Sequence, residues 1–359
     1  MGEFIFDDEW SDFAKQKGIR YYPKLLVGVP FSPVTCQKIL FEPAFRQGMD
    51  EERVRDFRLF VGKILQSIVK DNHLSSAHIN FVTDEEARDL AGDIANTKDN
   101  KSILQSVVHK FTNKDYIRKT TLQYHWFNNN TKSGDADDVG GYKKYTSFDD
   151  YLNCFKSKKR ITIKRERRSI TEQNVRLDAI VGKNIRQYPG LVERMYEIYK
   201  STVDKMFWGR LYFTQNFFEM LVESDFVENL VFMCARFNGT DADEENGVIV
   251  AQDVFAGTVN VVKDGVFYGR YWGCLPDYDI KNLHFEVCYW SAIEYCIGNG
   301  LDKMEPGAGG GGEYHSYYLN AFTRHLFSFH QVSCLNVLVP SSLIRISLKQ
   351  NRLQMGTRI

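Results

Sequence analysis

The chain has 359 residues, and its 46 Lys and Arg residues balance its 46 Asp and Glu residues, so the formal net charge is zero. This balance excludes a nucleic-acid binder with a globally basic surface, and a hydrophobic fraction of 43% excludes a disordered chain. The seven cysteines include no Cys-x-x-Cys pair, which argues against a disulfide framework. With no apolar run of about 20 residues to span a membrane, we expect a cytoplasmic or organellar protein that is not secreted.

In the first half of the chain, β-forming runs predict strands, and apolar residues at helical spacing predict helices. The predicted strands are 21–29, 77–82 and 117–127, and a predicted helix spans 50–71. Thr83, followed three residues later by Glu86, is a capping box that predicts the start of another helix.

The second half shows the same mixture of signals. Helices are predicted at 191–206, 214–222 and 283–300, and strands at 230–237, 255–262, 266–272 and 301–305. The sequence Asp264-Gly265 between two of these strands is typical of a hairpin turn. Strands interleaved with single helices predict a layered α/β (α+β) fold.

One predicted helix is strongly basic, with eight basic residues and one acidic residue at 156–168. Four of the basic residues lie at a spacing that forms one helical stripe: Lys156, Arg160, Lys164 and Arg168. Such a stripe fits a phosphate-rich partner such as tRNA, with salt-dependent binding. The alternative, which we favour, is that the helix pairs with the acidic loops at 135–138 and 241–245.

The second strand of the predicted hairpin carries an arginine between aromatic residues. Strand alternation predicts that Tyr268, Arg270 and Trp272 share one face. An arginine held and partly desolvated in this way can bind a carboxylate or a phosphate. The alternative is an edge arginine that pairs with an acidic residue of the protein.

Polar residues at 284–288 and 305 offer acid–base chemistry. We expect one of His284, Glu286 and Glu305 to be a general base near a substrate amine, the alternative for each being a hydrogen-bonded buried residue. A metal site, or a nucleophilic Cys288 paired with His284, is a minor alternative, and we predict no metal.

A glycine-rich loop follows the last predicted strand. The backbone amides of Gly307, Gly309 and Gly310 can bind an anion such as a cofactor phosphate, although a flexible connector is equally consistent with the pattern. No Lys-Ser or Lys-Thr follows Gly312, so this is not a Walker loop. We predict that this loop, the strand of Arg270 and the helix at 283–300 line one pocket.

Several longer blocks resemble a known family. They are YYPKLLVGVPFSPVT (21–35), LQYHWFN (122–128), FYGRYWGC (267–274), LHFEVCYWSAIEYCI (283–297) and MEPGAGG (304–310). In this order they resemble the FemAB-like family of the GNAT acyltransferase superfamily, which is labelled peptidoglycan biosynthesis/recognition.

The resemblance implies tandem GNAT-like halves, with donor and acceptor meeting in a cleft between splayed strands. Its pattern also includes Tyr289 and Glu313, to which we assign substrate binding together with the residues around Arg270. It implies a first half at 1–155 that is incomplete at its N-terminus, a second half at 156–335 that includes the basic helix, and an atypical tail at 336–359. Gly309 stands where the family usually has Gln, which departs from the pattern.

The activity implied is transfer of an acyl or aminoacyl group to an amine by direct attack. The donor would be a thioester such as acyl-CoA, or aminoacyl-tRNA, acting as a co-substrate with no tightly bound cofactor. The alternative function is a non-catalytic module that recognises a peptide or a glycan. The acceptor would be a small molecule or a peptide.

Overall fold

The computed structural model describes residues 7–30, 32–91, 116–129, 143–205, 211–239, 249–307 and 320–330. They belong to two compact units, one within Met1–Leu122 and Thr323–Ile359 and the other within Gln123–Phe322. The last strand pairs with a strand of the first unit, so the chain returns to that unit after the second. The predicted division into halves at residue 155 stays a prediction.

Helices and strands are interleaved along the chain. The helices are α1 (Asp8–Gln16), α2 (Pro43–Gln47), α3 (Glu51–Asp71), α4 (Asp84–Ala91), α5 (Phe148–Leu152), α6 (Ser157–Glu172), α7 (Leu191–Lys205) and α8 (Gln215–Glu223). Helix α9 has three consecutive parts, Leu283–Phe285, a π-helical turn Glu286–Trp290, and Ser291–Gly298. The strands are β1 (Leu25–Val27), β2 (Ser76–Val82), β3 (Tyr116–Phe127), β4 (Val175–Val181), β5 (Leu230–Phe237), β6 (Ala256–Lys263), β7 (Val266–Cys274), β8 (Lys303–Glu305) and β9 (Asn320–His330).

The predicted mixed α/β fold is confirmed. Helix α3, strand β5 and the β6–β7 hairpin lie where the sequence predicts them. Strands β4 and β9 have no counterpart in the prediction, and the predicted strand at 21–29 is reduced to the three residues of β1.

The first unit contains a sheet with the order β1-β2-β9. Strand β1 is parallel to β2, and β2 is antiparallel to β9. The predicted capping box forms only in part: the Thr83 hydroxyl accepts from the Glu86 backbone N–H at 3.3 Å. The Glu86 carboxylate accepts instead from the backbone N–H groups of Lys38 and Ile39 at 2.8–3.0 Å, so this side chain anchors a loop.

The second unit contains the strand order β3-β8-β7-β6-β5-β4. All neighbours in this order are antiparallel except β7 and β8, which are parallel. The hairpin turn between β6 and β7 has Asp264 and Gly265 at φ angles of 51° and 75°, the left-handed geometry that its sequence predicts.

Two apolar clusters cover the two faces of this sheet. Residues of α5, α6 and α9 pack against one face, which we call the α9 side, and residues of α7 and α8 pack against the other, the α7 side. Successive side chains of β5 point to opposite faces and so contribute to both clusters: Met233 lies on the α9 side and Phe232 on the α7 side. Helix α7 approaches β7 so closely that a Cβ at Gly273 would lie 1.9 Å from the carbonyl oxygen of Ile198.

Among the helices of the described ranges, none has both the length and the apolar character that crossing a membrane requires.

Candidate functional site

A β-bulge in strand β7 determines which side chains face the α7 side. In the pairing with β6, Val259 lies opposite Tyr271 and Asn260 lies opposite Gly269, so Arg270 is the extra residue. Because of this insertion, Trp272 packs on the α9 side and Tyr271 on the α7 side. The prediction that Tyr268, Arg270 and Trp272 share a face is therefore wrong for Trp272.

Arg270 lies on the α7 side beside Tyr268. Its Cζ is 5.1 Å from the centroid of the Tyr268 ring, and its Nη1 donates to the carbonyl oxygen of Gly269 at 2.9 Å. Burial lowers the pKa of Arg270, and the negative charge of Glu305 opposes this shift. A half-buried guanidinium, most of whose donors have no acceptor in the described ranges, is a site for an anionic group.

Strands β7 and β8 pair over a short distance and stay close beyond it. The parallel pairing runs from Val266 with Lys303 to Tyr268 with Glu305. Past this point the two backbones remain close, since a Cβ at Gly269 would lie 3.2 Å from the carbonyl oxygen of Pro306. The extra residue Arg270 and the first residues of the glycine-rich loop therefore lie together.

Glu305 is buried with an incomplete set of hydrogen bonds. Its side chain is 1% exposed, and its Oε1 accepts from Lys303 Nζ at 2.8 Å. Its Oε2 is also buried and has no hydrogen-bond partner in the part of the chain that the structure describes. A buried acceptor without a donor is costly, so this oxygen is suited to bind a donor group of a ligand.

Gln123 of β3 is a site residue that the sequence reasoning missed. Trp126 of β3 pairs with Met304 of β8, and both side chains pack on the α9 side. Alternation therefore places Gln123 and Glu305 together on the α7 side. Gln123 Nε2 donates to the carbonyl oxygen of Gly307 at 2.9 Å, while its buried Oε1 has no partner in the described ranges.

Glu286 lies on the α9 side, so the sheet separates it from Glu305. Arg167 of α6 donates to both of its carboxylate oxygens, with Nε at 3.1 and 3.3 Å. Ser291 Oγ donates to Glu286 Oε1 at 2.8 Å, across the π-helical turn. This ion pair joins two helices, and it makes Glu286 a poor choice for the general base that the sequence suggested.

Arg167 binds a second carboxylate as well. Its Nη2 lies 2.5 Å from Glu294 Oε2, and its Cζ lies 4.4 Å from the centroid of the Phe148 ring. Desolvation opposes the charge of Arg167, but Glu294 and Glu286 together raise its pKa. Part of the predicted basic surface is therefore used inside the fold.

The other residues predicted on helix α9 form an aromatic group on the α9 side. His284 is exposed, and its ring lies edge-to-face with Trp272 at 5.3 Å and with Tyr289 at 5.8 Å. Burial raises the pKa of the Cys288 thiol, which opposes the nucleophilic role considered for it. The single pocket predicted for β7, α9 and the loop is therefore divided by the sheet.

Three predicted residues, Gly309, Gly310 and Glu313, lie outside the described residues. Gly307 lies inside them, and its carbonyl accepts the hydrogen bond from Gln123. Anion binding by the amides of this loop stays a prediction. Within the described ranges, no three His, Cys, Asp or Glu side chains are grouped as a metal site requires.

Helix α6 presents much of its positive charge to solvent. Lys164 pairs with Asp149 at 2.8 Å, and Arg160 donates to the carbonyl oxygen of Phe155 at 2.8 Å. Four further basic residues of this helix and its N-cap are exposed: Lys156, Lys158, Arg165 and Arg168. The acidic loops expected to pair with them, 135–138 and 241–245, lie outside the described residues.

Comparisons with known proteins place these features in context. A sequence model of the FemAB-like family, described as peptidoglycan biosynthesis/recognition, matches residues 1–337. A search of curated proteins finds no match to the chain.

The fold is similar to several solved structures at low sequence identity. For L-PGS from Bacillus licheniformis, the TM-score is 0.45 with 8% identity, covering 78% of this chain and 75% of that one. For the C-terminal domain of a putative lysylphosphatidylglycerol synthetase from Agrobacterium fabrum, the values are 0.46 and 8%, covering 82% and 78%. For FemX they are 0.42 and 11%, covering 79% and 80%.

Proposed function

Since the chain belongs to the FemAB-like family, described as peptidoglycan biosynthesis/recognition, we propose that it transfers an acyl or aminoacyl group to an amine. The observation that carries this proposal is the buried Glu305 carboxylate, whose Oε2 has no partner in the described ranges. It lies where β7 and β8 end their parallel pairing, beside the desolvated Arg270.

The proposed step is a direct transfer. The amine arrives as an ammonium ion, and Glu305 Oε2 accepts one of its protons. The nitrogen then attacks the acyl carbonyl carbon, forming a C–N bond and breaking the bond from that carbon to the thioester sulphur or to the ester oxygen. The leaving thiolate or alkoxide takes a second proton from the nitrogen, and Glu305 returns its proton to solvent.

Arg270 has a binding role in this proposal. Its guanidinium has donors without an acceptor among the residues that the structure describes, and it lies on the same side of the sheet as Glu305. An anionic group of the substrate, either a carboxylate or a phosphate, would satisfy these donors. Such a contact would hold the substrate so that its nitrogen reaches Glu305.

The family resemblance implies two acyl donors, a thioester such as acyl-CoA and aminoacyl-tRNA. The exposed positive charge of α6 supports aminoacyl-tRNA. Lys158, Arg165 and Arg168 are exposed on this helix. An acyl thioester remains the alternative donor, and the two are separated by experiment.

Turnover tests the proposal directly. The protein is incubated with labelled acetyl-CoA or with labelled aminoacyl-tRNA and a panel of amines, and then compared with Glu305→Gln. We expect Glu305→Gln to lower the rate by about 100-fold, the contribution typical of a general base. Glu294→Gln, an exposed carboxylate, is the matched control and should retain the rate.

Two outcomes contradict the proposal. Equal rates for the wild type and Glu305→Gln would remove Glu305 as the base. No turnover with either donor would favour the module that recognises a peptide or a glycan without transfer.

Filter binding of tRNA over a salt series separates the donors. We expect each of Arg165→Ala and Arg168→Ala to reduce the slope of log affinity against log salt by about one. Lys263→Ala, an exposed lysine at the β6 end of the hairpin, should leave the slope unchanged. A wild type that does not bind tRNA at low salt would leave the thioester as the donor.

A further inference from the structure

Two buried oxygen atoms on the α7 side of the sheet need hydrogen-bond donors. They are Gln123 Oε1 and Glu305 Oε2, and neither has a partner in the described ranges. The two side chains are 6% and 1% exposed, so bulk water does not readily replace the missing donors. Both belong to the second unit.

The sheet brings these two side chains together. Strands β3 and β8 are antiparallel, with Trp126 opposite Met304. Gln123 reaches Gly307, and Glu305 lies two residues before Gly307, so Gln123 and Glu305 are diagonal neighbours. Diagonal neighbours are about 7 Å apart at the backbone, within reach of each other for long side chains.

The remaining atoms of both side chains are held by the protein. Gln123 Nε2 donates to the Gly307 carbonyl, which fixes the amide so that Oε1 is the free atom. Lys303 occupies Glu305 Oε1, which leaves Oε2. Both free atoms are acceptors, so a ligand must bring at least two donors.

A primary ammonium group meets this requirement. It carries three N–H donors and a positive charge that matches the Glu305 carboxylate. A hydroxyl group has one donor, and a quaternary ammonium group has charge but no donor.

We propose that Gln123 and Glu305 together form a binding site for a primary ammonium group, which selects the acceptor amine. This inference rests on the proposed function in calling that amine the acceptor, but the binding can be measured without turnover. Gln123 then contributes specificity, while Glu305 both binds the ammonium group and takes its proton.

Three probes of equal chain length separate charge from hydrogen bonding: n-hexylamine, N,N,N-trimethylhexylammonium and hexan-1-ol. Affinities are measured by calorimetric or NMR titration of the full chain near pH 7, where the amine is protonated. We expect n-hexylamine to bind at least about tenfold more tightly than the other two, because it alone has three donors.

The variant Gln123→Met removes one acceptor while keeping the length of the side chain. We expect it to weaken n-hexylamine about tenfold and to leave the trimethyl probe unchanged. Gln66→Met, which alters a buried glutamine of the first unit, is the matched control and should change neither affinity. Melting curves check that each variant is folded, and Glu305→Gln, which removes the charge, should also weaken n-hexylamine about tenfold if Gln123→Met does not fold.

Equal affinities for n-hexylamine and its trimethyl analogue would overturn the inference, as would an unchanged affinity in folded Gln123→Met. The outcome is distinguishable from failure of the proposed function. Ammonium binding without turnover supports the site and contradicts the transferase. Turnover with an amine KM that Gln123→Met does not change supports the transferase and contradicts the site.

Discussion

Glu286 and Glu305 are both buried carboxylates of the second unit, with 5% and 1% exposure. Arg167 and Ser291 donate to Glu286, so the fold itself satisfies this side chain. Glu305 has one oxygen bound to Lys303 and one oxygen without a donor in the described ranges. A satisfied carboxylate stabilises the packing of two helices, whereas an unsatisfied one retains the capacity to bind or react.

The largest expected effect comes from breaking the satisfied pair. Arg167→Met leaves the Glu286 charge buried, so we expect the free energy of unfolding to fall by about 3 kcal/mol. Urea denaturation measures this change. Arg165→Met, at an exposed arginine of the same helix, is the control and should lower the free energy of unfolding by less than about 0.5 kcal/mol. Equal losses in both variants would show that the Arg167–Glu286 pair contributes no more to stability than an exposed arginine does.

Replacing the unsatisfied carboxylate itself should have a much smaller effect. Glu305→Met removes one buried oxygen that lacks a donor and one that is bound to Lys303, whose ammonium group is partly exposed to water, so we expect the free energy of unfolding to change by less than about 1 kcal/mol. The measurement is again urea denaturation. A loss of more than about 2 kcal/mol would mean that Glu305 serves the fold as Glu286 does.

The close approach of β7 to the loop can be tested at Gly269. A Cβ there would lie 3.2 Å from the Pro306 carbonyl oxygen, so Gly269→Ala should push the loop away and cost about 1 kcal/mol. Gly298→Ala, at a position with no atom within 4 Å of the added Cβ, should be neutral or stabilising by about 0.5 kcal/mol. Thermal unfolding of both variants measures the difference. Equal stabilities of Gly269→Ala and Gly298→Ala would show that the loop moves away from the added Cβ without loss of stability.

The smallest effect on the rate of transfer is expected at Cys288. Burial raises the pKa of Cys288, so little thiolate is present near neutral pH. Cys288→Ala should therefore retain the rate of transfer within about twofold, measured with the donor that supports turnover. If Cys288→Ala lost the rate of transfer and Glu305→Gln kept it, the reactive group would be the Cys288 thiol and not the Glu305 carboxylate.

Local signals in the sequence predict much of the fold. The apolar spacing in 50–71 predicts α3, and Asp264-Gly265 predicts the turn between β6 and β7, because each signal lies within the element that it forms. Strand β9 is not predicted, because its partner is β2, which is far away in the sequence. The bulge at Arg270 is not predicted either, because it exists only in the pairing of β7 with β6.

The candidate site is predicted less completely, for the same reason. The sequence indicates Arg270 and Glu305, which the fold brings near enough for their charges to interact. The partner of Glu286 lies 119 positions away in the sequence, and the partner of Gln123 lies 184 positions away. A single sequence does not indicate such distant pairs, so it could not separate the carboxylate that is satisfied from the one that is not.

The π-helical turn of α9 determines where this helix can lose a residue. In an α-helix, residue i lies beside residue i+4, but here the Ser291 N–H donates to the Glu286 carbonyl, five residues earlier. Deleting one residue between them would restore α-helical spacing and leave Leu283–Phe285 in nearly the same orientation relative to Ser291–Gly298. A deletion within Ser291–Gly298 has no such turn to absorb it and would rotate the residues on its two sides by about 100° relative to each other. Helix α9 should therefore lose a peptide unit more readily in the π-helical turn than in Ser291–Gly298.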